Sequence, residues 1–245
     1  MTHVVLVSHG QPSDPEPAAR ALADLGAKVA QHLPGWTLTT ATLAEPGALA
    51  AATGAAQGRA FPLFMAGGWF TRTHLPARLA EAGAGGWQVL EPFGCDPALQ
   101  ALAVEVVRDA ISERGWKPAQ TRLLLAAHGS FKSPVPAAIA MMLARRIAAD
   151  LGLQDAAAAF IDQTPQLAHA TGYGPQSLCL PFFAAEGGHV TEDIPAALTA
   201  AGFAGDLLPP LGLATGVPAL IAAAIRAGQP VCARACRYDP TAKGA

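Results

Sequence analysis

Charged residues are scarce in this chain, and neither sign of charge dominates. Only 14% of its 245 residues are charged, and the formal net charge is −2. A protein that binds nucleic acid normally displays a basic face, so the composition argues against such a partner. The composition still allows a local group of basic side chains that binds an acidic small molecule.

Cysteine and long apolar runs are also scarce. The four cysteines, at positions 95, 179, 232 and 236, are too few and too scattered to form a disulfide framework. The first residues, MTHVVLV, contain no charged leader and no cleavage region, so they predict a strand rather than a signal peptide. The most apolar late stretch, 211–225, is interrupted by Gly216 and Pro218 and is too short to span a bilayer. We therefore expect a cytoplasmic protein that does not bind membranes.

The chain contains an internal repeat. The segment VVLVSHG at 4–10 is echoed by LLLAAHG at 123–129, which places His9 and His128 at an offset of 119 residues. Three pairs of prolines share that offset, namely 46 and 165, 62 and 181, and 76 and 195. This agreement predicts two copies of one domain, over residues 1–116 and 119–245.

Each copy alternates short apolar runs with longer amphipathic segments. The runs predict strands over 4–8, 37–42, 61–65, 87–90, 122–127, 157–161, 177–183 and 206–208. The amphipathic segments predict helices over 17–32, 75–82, 97–113, 136–151, 194–201 and 217–227. Such alternation is typical of an α/β fold in which a parallel sheet has helices on both faces.

Histidines concentrate where the predicted strands end. His9, His74, His128 and His189 all lie in loops that follow strands, whereas the other three of the seven do not. Ligands of open parallel sheets bind beyond the carboxyl ends of the strands. The distribution of histidines therefore indicates a functional site at this edge.

The second copy carries the stronger candidates. His128 and His189 follow strands that we expect to be neighbours, and imidazole is a suitable ligand for iron, cobalt, nickel and zinc. Beside His189, the glycines 187 and 188 would let a large flat ligand approach the backbone. Glu192 is a candidate proton acceptor or a helix cap, and we expect Asp193 to cap the helix that begins near Pro195.

The first copy departs from this pattern. It keeps His9, but the offset of 119 places Phe70 opposite His189, and alignment of the glycine pairs places Trp69 there instead. Aromatic rings cannot replace a metal-binding imidazole, although they can stack on a planar macrocycle. We therefore expect a degenerate site in the first copy, with His74 as a surface histidine at a helix start.

The tandem strand–His–Gly pattern and the stretch GGHVTEDIP at 187–195 resemble the CbiX-like class II sirohydrochlorin chelatases. The resemblance covers nearly the whole chain. It implies two similar flavodoxin-like, chelatase-type domains that face a central cleft. It also implies insertion of Fe²⁺, for siroheme, or Co²⁺, for cobalamin, into sirohydrochlorin without ATP or an organic cofactor.

On this resemblance, His128 and His189 are the metal ligands and, with Glu192, the catalytic residues. Basic side chains at Arg72, Lys132 and Arg78 are candidates for contacts with the substrate's carboxylates. The full set of residues that we expect to contact the tetrapyrrole is His9, Trp69, Phe70, Arg72, Ser130, Lys132, Phe183 and Gly188. Metal preference and oligomeric state stay open.

Two other functions are compatible with the same residues. A metal or tetrapyrrole carrier would use the same histidines without turnover. The segment LVSHGQ at 6–11 also resembles the signature of histidine phosphatases, in which an arginine precedes the histidine, but Ser8 and Ala127 occupy that position here. Loss of this cation would weaken a phosphate pocket, so this function ranks behind the first two.

Overall fold

Strands and helices alternate through the first repeat as its periodicity predicts. The computed structural model of the chain describes residues 2–54, 57–232 and 236–241. In chain order the elements of the first repeat are β1 (Thr2–Ser8), α1 (Pro15–Ala30), β2 (Trp36–Thr42), α2 (Ala48–Ala52), β3 (Arg59–Pro62), α3 (Leu75–Glu81), β4 (Gln88–Val89) and α4 (Pro97–Glu113). A π-helical turn at Phe70–His74 and the short helix α2 were not predicted, because segments of five residues are too short to show helical periodicity.

The second repeat has the same order of strands, and the elements that the sequence predicted there are found. Its elements are β5 (Arg122–Ala127), α5 (Val135–Leu151), β6 (Asp155–Phe160), β7 (Ser177–Pro181), α6 (Ile194–Ala200), β8 (Asp206–Leu207) and α7 (Val217–Ala227). A π-helical turn at His189–Asp193 precedes α6. Among the residues that the structure describes, no helix is both long enough and apolar enough to cross a membrane.

The two sheets share one topology. The strand order is β2-β1-β3-β4 in the first and β6-β5-β7-β8 in the second, and all neighbours are parallel. Successive side chains of a strand point to opposite faces. Val5 and Val7 of β1 pack with Leu75 and Leu79 of α3 in one core cluster. Leu6 faces α1, because a Cβ built on Gly26 would lie 3.9 Å from the Leu6 side chain. Helices therefore cover both faces, and the predicted α/β fold class is confirmed.

The compact units of the structure are built from exchanged segments. Unit 1 consists of Met1–Asp96 and Thr215–Arg237, and unit 2 of Pro97–Ala214 and Tyr238–Ala245. Helix α7 thus packs with α1 in unit 1, and α4 packs with α5 in unit 2. The predicted bounds 1–116 and 119–245 follow the sequence repeat, whereas the units differ from it because the last helix of each repeat is exchanged.

Polar contacts hold each exchanged helix within its unit. In unit 1, the guanidinium of Arg226 on α7 donates to the backbone oxygen of His32 at 2.6 Å. In unit 2, Arg114, which follows α4, donates from Nε to Asp206 Oδ2 at 2.6 Å. Arg226 lies in the last turn of α7 and Arg114 directly follows α4, so each contact joins the C-terminal end of the exchanged helix to its unit.

A repeated glycine has a steric explanation. The sequence contains Pro92-Phe93-Gly94 and Pro210-Leu211-Gly212 at corresponding places. A Cβ on Gly94 would lie 2.0 Å from the backbone oxygen of Met65, and a Cβ on Gly212 would lie 2.0 Å from that of Ala184. Two backbone segments therefore approach each other so closely in both units that no side chain fits between them.

Candidate active site

Two imidazoles meet at the carboxyl edge of the second sheet. His128 directly follows β5, and the loop after β7 leads to His189 at the start of its π-helical turn. Because β5 is hydrogen-bonded to β7, these two loops are neighbours. The ring centroids of His128 and His189 lie 4.7 Å apart, with the ring planes at 88°. Both side chains are about half exposed, 46% for His128 and 48% for His189, so both are accessible to a ligand.

Gly129 allows the chain to turn directly after His128. Its φ angle is +79°, in the left-handed region that disfavours a side chain. A Cβ there would also lie 2.6 Å from Gln163 Cγ and 3.0 Å from Phe160 Cβ. Gln163 supports the same loop, since its Oε1 accepts a hydrogen bond from the backbone N–H of Ser130 at 2.7 Å. The position of His128 thus depends on a glycine and on a side chain that follows β6.

Each imidazole has a carboxylate at Nδ1. His189 Nδ1 lies 2.6 Å from Asp193 Oδ2, and His128 Nδ1 lies 3.3 Å from Asp162 Oδ2. His128 Nδ1 is also 3.2 Å from the backbone oxygen of Gly129. All three oxygens can only accept hydrogen bonds, which places the proton on Nδ1 and leaves the lone pair of a neutral ring on Nε2. Both rings can therefore bind a cation through Nε2.

Asp162 was not singled out by the sequence. It lies two residues beyond β6, and its backbone N–H donates to the His128 oxygen at 3.0 Å, which continues the pairing of β5 and β6 past the strand ends. An acidic residue just after a predicted strand was the available signal. Asp162 is far from both histidines in sequence, so closeness along the chain does not reveal this partner.

Asp193 does not act as the helix cap that we expected. Its backbone is helical, with φ −68° and ψ −43°, and its side chain makes no capping hydrogen bond. The π-helical turn runs into α6 without a break, so Asp193 is in the interior of a helical segment and its carboxylate contacts His189 instead. Glu192 in the same turn is exposed, and no hydrogen bond or ion pair of its side chain occurs among the described residues.

The histidine pair offers two ring nitrogens as candidate metal ligands. Within residues 2–54, 57–232 and 236–241, no group of three or more histidine, cysteine, aspartate or glutamate side chains is arranged to hold a metal ion. The carboxylates of Asp162 and Asp193 contact the Nδ1 side of the rings, where they add negative charge beside the pair. A cation at Nε2 would therefore gain electrostatic support while it keeps open coordination positions.

Other predicted contact residues lie in the loops next to the pair. Phe183 is 6.4 Å from His189 between ring centroids, and Gly188 precedes that histidine, where an added Cβ would meet no atom within 4 Å. Ser130 accepts from the backbone N–H of Lys132 at 3.1 Å, and the Lys132 side chain is exposed. Phe131, between them, is 83% exposed and was missed, although an aromatic residue in a strand-end loop is a usable signal.

Unit 1 repeats the geometry with an aromatic ring in place of one histidine. His9 and Phe70 have ring centroids 5.1 Å apart at 69°, and the π-helical turn of unit 1 starts at Phe70. Phe70, rather than Trp69, is therefore the structural counterpart of His189. Trp69 is 59% exposed, and its ring stacks on His74 at 4.8 Å. Thus His74 is half-buried against Trp69 rather than an isolated surface histidine, and Arg72 lies in the same turn.

The carboxylates of unit 2 are also absent from the corresponding positions of unit 1. The backbone N–H of Ala44 donates to the His9 oxygen at 2.9 Å, as that of Asp162 does to His128, so Ala44 is the counterpart of Asp162. His74 ends the first π-helical turn, where Asp193 ends the second. Unit 1 thus retains one imidazole of the pair and neither supporting carboxylate.

Two solved structures of low sequence identity have the same fold as this chain. SirB from Bacillus subtilis with Fe³⁺ is 15% identical, with a TM-score of 0.71 over 93% of this chain and 96% of that one. The sirohydrochlorin chelatase SirB from B. subtilis subspecies spizizenii in complex with cobalt is 16% identical, with a TM-score of 0.66 over 93% and 95%. At this identity the likeness shows the chelatase-type α/β fold. A comparison with curated protein sequences gives no significant match.

A closer relative then shows the family. A family model described as CbiX matches residues 122–227. The solved structure of CbiX, described as the terminal enzyme for biosynthesis of siroheme in denitrifying bacteria, is 48% identical to this chain. The match covers 92% of this chain and 98% of that one, with a TM-score of 0.85. The chain therefore belongs to the CbiX family.

Proposed function

We propose that this chain is a sirohydrochlorin chelatase that inserts a divalent metal into the tetrapyrrole, with His128 and His189 as the metal ligands. The observation that carries the proposal is the pair of perpendicular imidazoles 4.7 Å apart, each with a carboxylate at Nδ1. The 48% identity to CbiX over most of both chains supports the reaction. Because siroheme contains iron, that relative favours Fe²⁺ over Co²⁺, although imidazole accepts both.

Half-exposed ligands suit a metal that must leave. A resident structural metal is usually enclosed by four protein ligands, whereas two imidazoles leave positions that water occupies and pyrrole nitrogens can take over. The metal is the substrate here, so the site has to hold it in one position and then release it. Two nitrogens supported by outer carboxylates meet both needs.

Insertion of a divalent cation releases the two N–H protons of the macrocycle. Once the metal has moved to the pyrrole nitrogens, the Nε2 lone pairs of His128 and His189 become free. Those two lone pairs can then accept the two protons. Glu192, exposed in the turn that starts at His189, is a further acceptor and can pass a proton to solvent.

Aromatic and basic residues are our candidates for binding the macrocycle. In unit 2 these are Phe131, Lys132 and Phe183, with Ser130 and Gly188 in the adjoining backbone. In unit 1, Trp69 and Phe70 expose aromatic surface, and His9 contacts Phe70. Aromatic faces stack on planar conjugated rings, and basic side chains pair with the carboxylates that surround sirohydrochlorin.

The experiment follows the absorption change of sirohydrochlorin with Fe²⁺, Co²⁺ and Ni²⁺ under anaerobic conditions. We expect His128→Ala and His189→Ala each to lower the rate at least about 100-fold, while the free energy of unfolding stays near that of the wild type because both rings are half exposed. His169→Ala, which removes an exposed histidine elsewhere in unit 2, is the matched control. Full activity in both site variants would overturn the assignment.

The same assay distinguishes an enzyme from a carrier. With sirohydrochlorin and metal in molar excess, an enzyme continues past one equivalent of product, whereas a carrier stops there. In a histidine phosphatase an arginine would precede the histidine, whereas Ser8 and the buried Ala127 precede the two strand-end histidines here.

A further inference from the structure

Asp193 makes the shortest side-chain contact of the histidine pair. Its Oδ2 lies 2.6 Å from His189 Nδ1, whereas Asp162 lies 3.3 Å from His128 Nδ1. The partners are four residues apart at the two ends of one π-helical turn. π-Helical turns are rare and occur often at functional sites. The turn contains both the donor and the acceptor, so the contact does not depend on a distant loop.

We propose that Asp193 is a positioning residue that holds the His189 ring with Nε2 directed to the incoming metal. This inference rests on the function proposed above. A carboxylate at Nδ1 fixes the tautomer, limits rotation of the ring and makes Nε2 a better ligand. Asp193 has no competing role as a cap, because its side chain makes no capping hydrogen bond.

The two units provide an internal comparison. In unit 1 the counterpart of His189 is Phe70, and the counterpart of Asp193 is His74. Both members of the pair are therefore replaced in the same unit. A carboxylate whose role was only to stabilise the turn would be useful in both units, since both contain the turn. A carboxylate that serves the imidazole is needed only where the imidazole is present.

The test measures Co²⁺ binding by its visible absorption, together with kcat and KM for the metal. We expect Asp193→Ala to weaken Co²⁺ binding and raise the KM for metal about 10- to 100-fold, with a changed Co²⁺ spectrum because the ring is no longer held. Asp193→Asn keeps an oxygen that accepts from Nδ1–H, so most of the affinity should return. Asp150→Ala is the matched control, because Asp150 makes a contact with Arg146 over the same four-residue spacing on α5.

The outcomes separate this inference from the proposed function. Wild-type Co²⁺ affinity and spectrum in Asp193→Ala, with loss of both in His189→Ala, would overturn the positioning role alone. Unchanged binding and turnover in His189→Ala would overturn the proposed function itself. An equal loss in Asp193→Asn and Asp193→Ala would contradict positioning through the Nδ1 hydrogen bond.

A second and independent observation concerns two buried thiols in unit 1. The Sγ atoms of Cys95 and Cys236 lie 3.8 Å apart, and the residues are 1% and 4% exposed. Cys95 ends a helical turn after β4. The segment around Cys236 is attached to the same region on both sides, since Val231 N–H donates to the Val89 oxygen at 3.0 Å and Arg237 pairs with Glu91.

We propose that Cys95 and Cys236 form a reversible dithiol–disulfide pair, with a small-molecule disulfide such as oxidised glutathione as the oxidant. One thiolate attacks the oxidant, which releases one glutathione thiol and forms a mixed disulfide. The second thiolate displaces the other glutathione, so two thiols and one oxidised glutathione give one protein disulfide and two glutathione thiols. Side-chain rotation is needed to reach bonding distance from the present separation.

Such a disulfide would act next to the aromatic surface of unit 1. A Cβ on Gly67 would lie 3.3 Å from Cys236 Sγ, so this cysteine contacts the loop that leads to Trp69. The hydrogen bond with the Cys236 thiol and burial raise the pKa of Cys95 well above its usual value, so little thiolate is present and oxidation is slow in the native state.

In the test, the protein is incubated with oxidised glutathione. Disulfide-linked peptides are then mapped by mass spectrometry before and after reduction with dithiothreitol. We expect a reversible link between the peptides of Cys95 and Cys236, absent in Cys95→Ser and retained in the control Cys179→Ser. If glutathione is found only on the partly exposed Cys232, or if no linked peptide forms after prolonged incubation, the proposal is wrong.

Discussion

Gly129→Ala, in the turn after His128, should destabilise the fold. The substitution forces an alanine into a left-handed conformation at φ +79°. The new Cβ would also lie 2.6 Å from Gln163 Cγ, 2.9 Å from its Oε1 and 3.0 Å from Phe160 Cβ. Strain and overlap therefore act at one site, directly beside a proposed metal ligand.

The expected loss in free energy of unfolding is the sum of the backbone strain and the steric overlap. A left-handed alanine costs roughly 1–2 kcal/mol, and insertion of a methyl group into an occupied space costs about 1–3 kcal/mol more. Gly152→Ala separates them, because Gly152 has φ +66° at the end of α5 and its added Cβ would meet no atom within 4 Å. We expect Gly152→Ala to lower the free energy of unfolding by about 1–2 kcal/mol and Gly129→Ala by about 2–5 kcal/mol.

Urea unfolding measures the stability of the two variants, and the chelatase assay measures their activity. Activity of folded Gly129→Ala should fall well below that of Gly152→Ala, because the overlap displaces the loop that carries His128. Adding Gln163→Ala removes part of the overlap, so the double variant should be less destabilised than the sum of the single variants. Equal losses of stability in Gly129→Ala and Gly152→Ala would refute the steric argument.

Three further predictions follow from the site and its counterpart. Phe70→His should create a second Co²⁺ site with His9. Its affinity should be about 10- to 100-fold weaker than that of the first site, because Ala44 and His74 supply no carboxylate. In a Co²⁺ titration followed by absorption, a second equivalent bound by Trp69→His and not by Phe70→His would contradict the alignment. Trp69→Ala should raise the KM for sirohydrochlorin about 2- to 10-fold with little change in the KM for metal, and an unchanged KM would remove Trp69 from the binding surface. Burial raises the pKa of Cys179 to about 12, so the thiol is neutral at pH 8; native alkylation followed by mass spectrometry should label Cys232 and spare Cys179, and rapid labelling of Cys179 would contradict its burial.

The sequence by itself determined the fold class, the repeat and the candidate histidines. Unbroken apolar runs located the strands, because β5 and β7 are buried and are apolar after their first residues, Arg122 and Ser177. The offset of 119 residues predicted two similar sheets, and parallel pairing placed His128 and His189 at one edge. These features are local or periodic, so they can be derived without knowledge of the packing.

Only the tertiary structure decided which groups surround the histidines. Asp162 comes beside His128 because β6 pairs with β5, and Asp193 contacts His189 from the other end of the same π-helical turn. The same turn identifies Phe70 as the counterpart of His189, which the sequence left open between two residues. The exchange of α4 and α7 likewise depends on long-range packing. Contacts between segments far apart in sequence, and helical turns of five residues, leave no periodic trace in the chain.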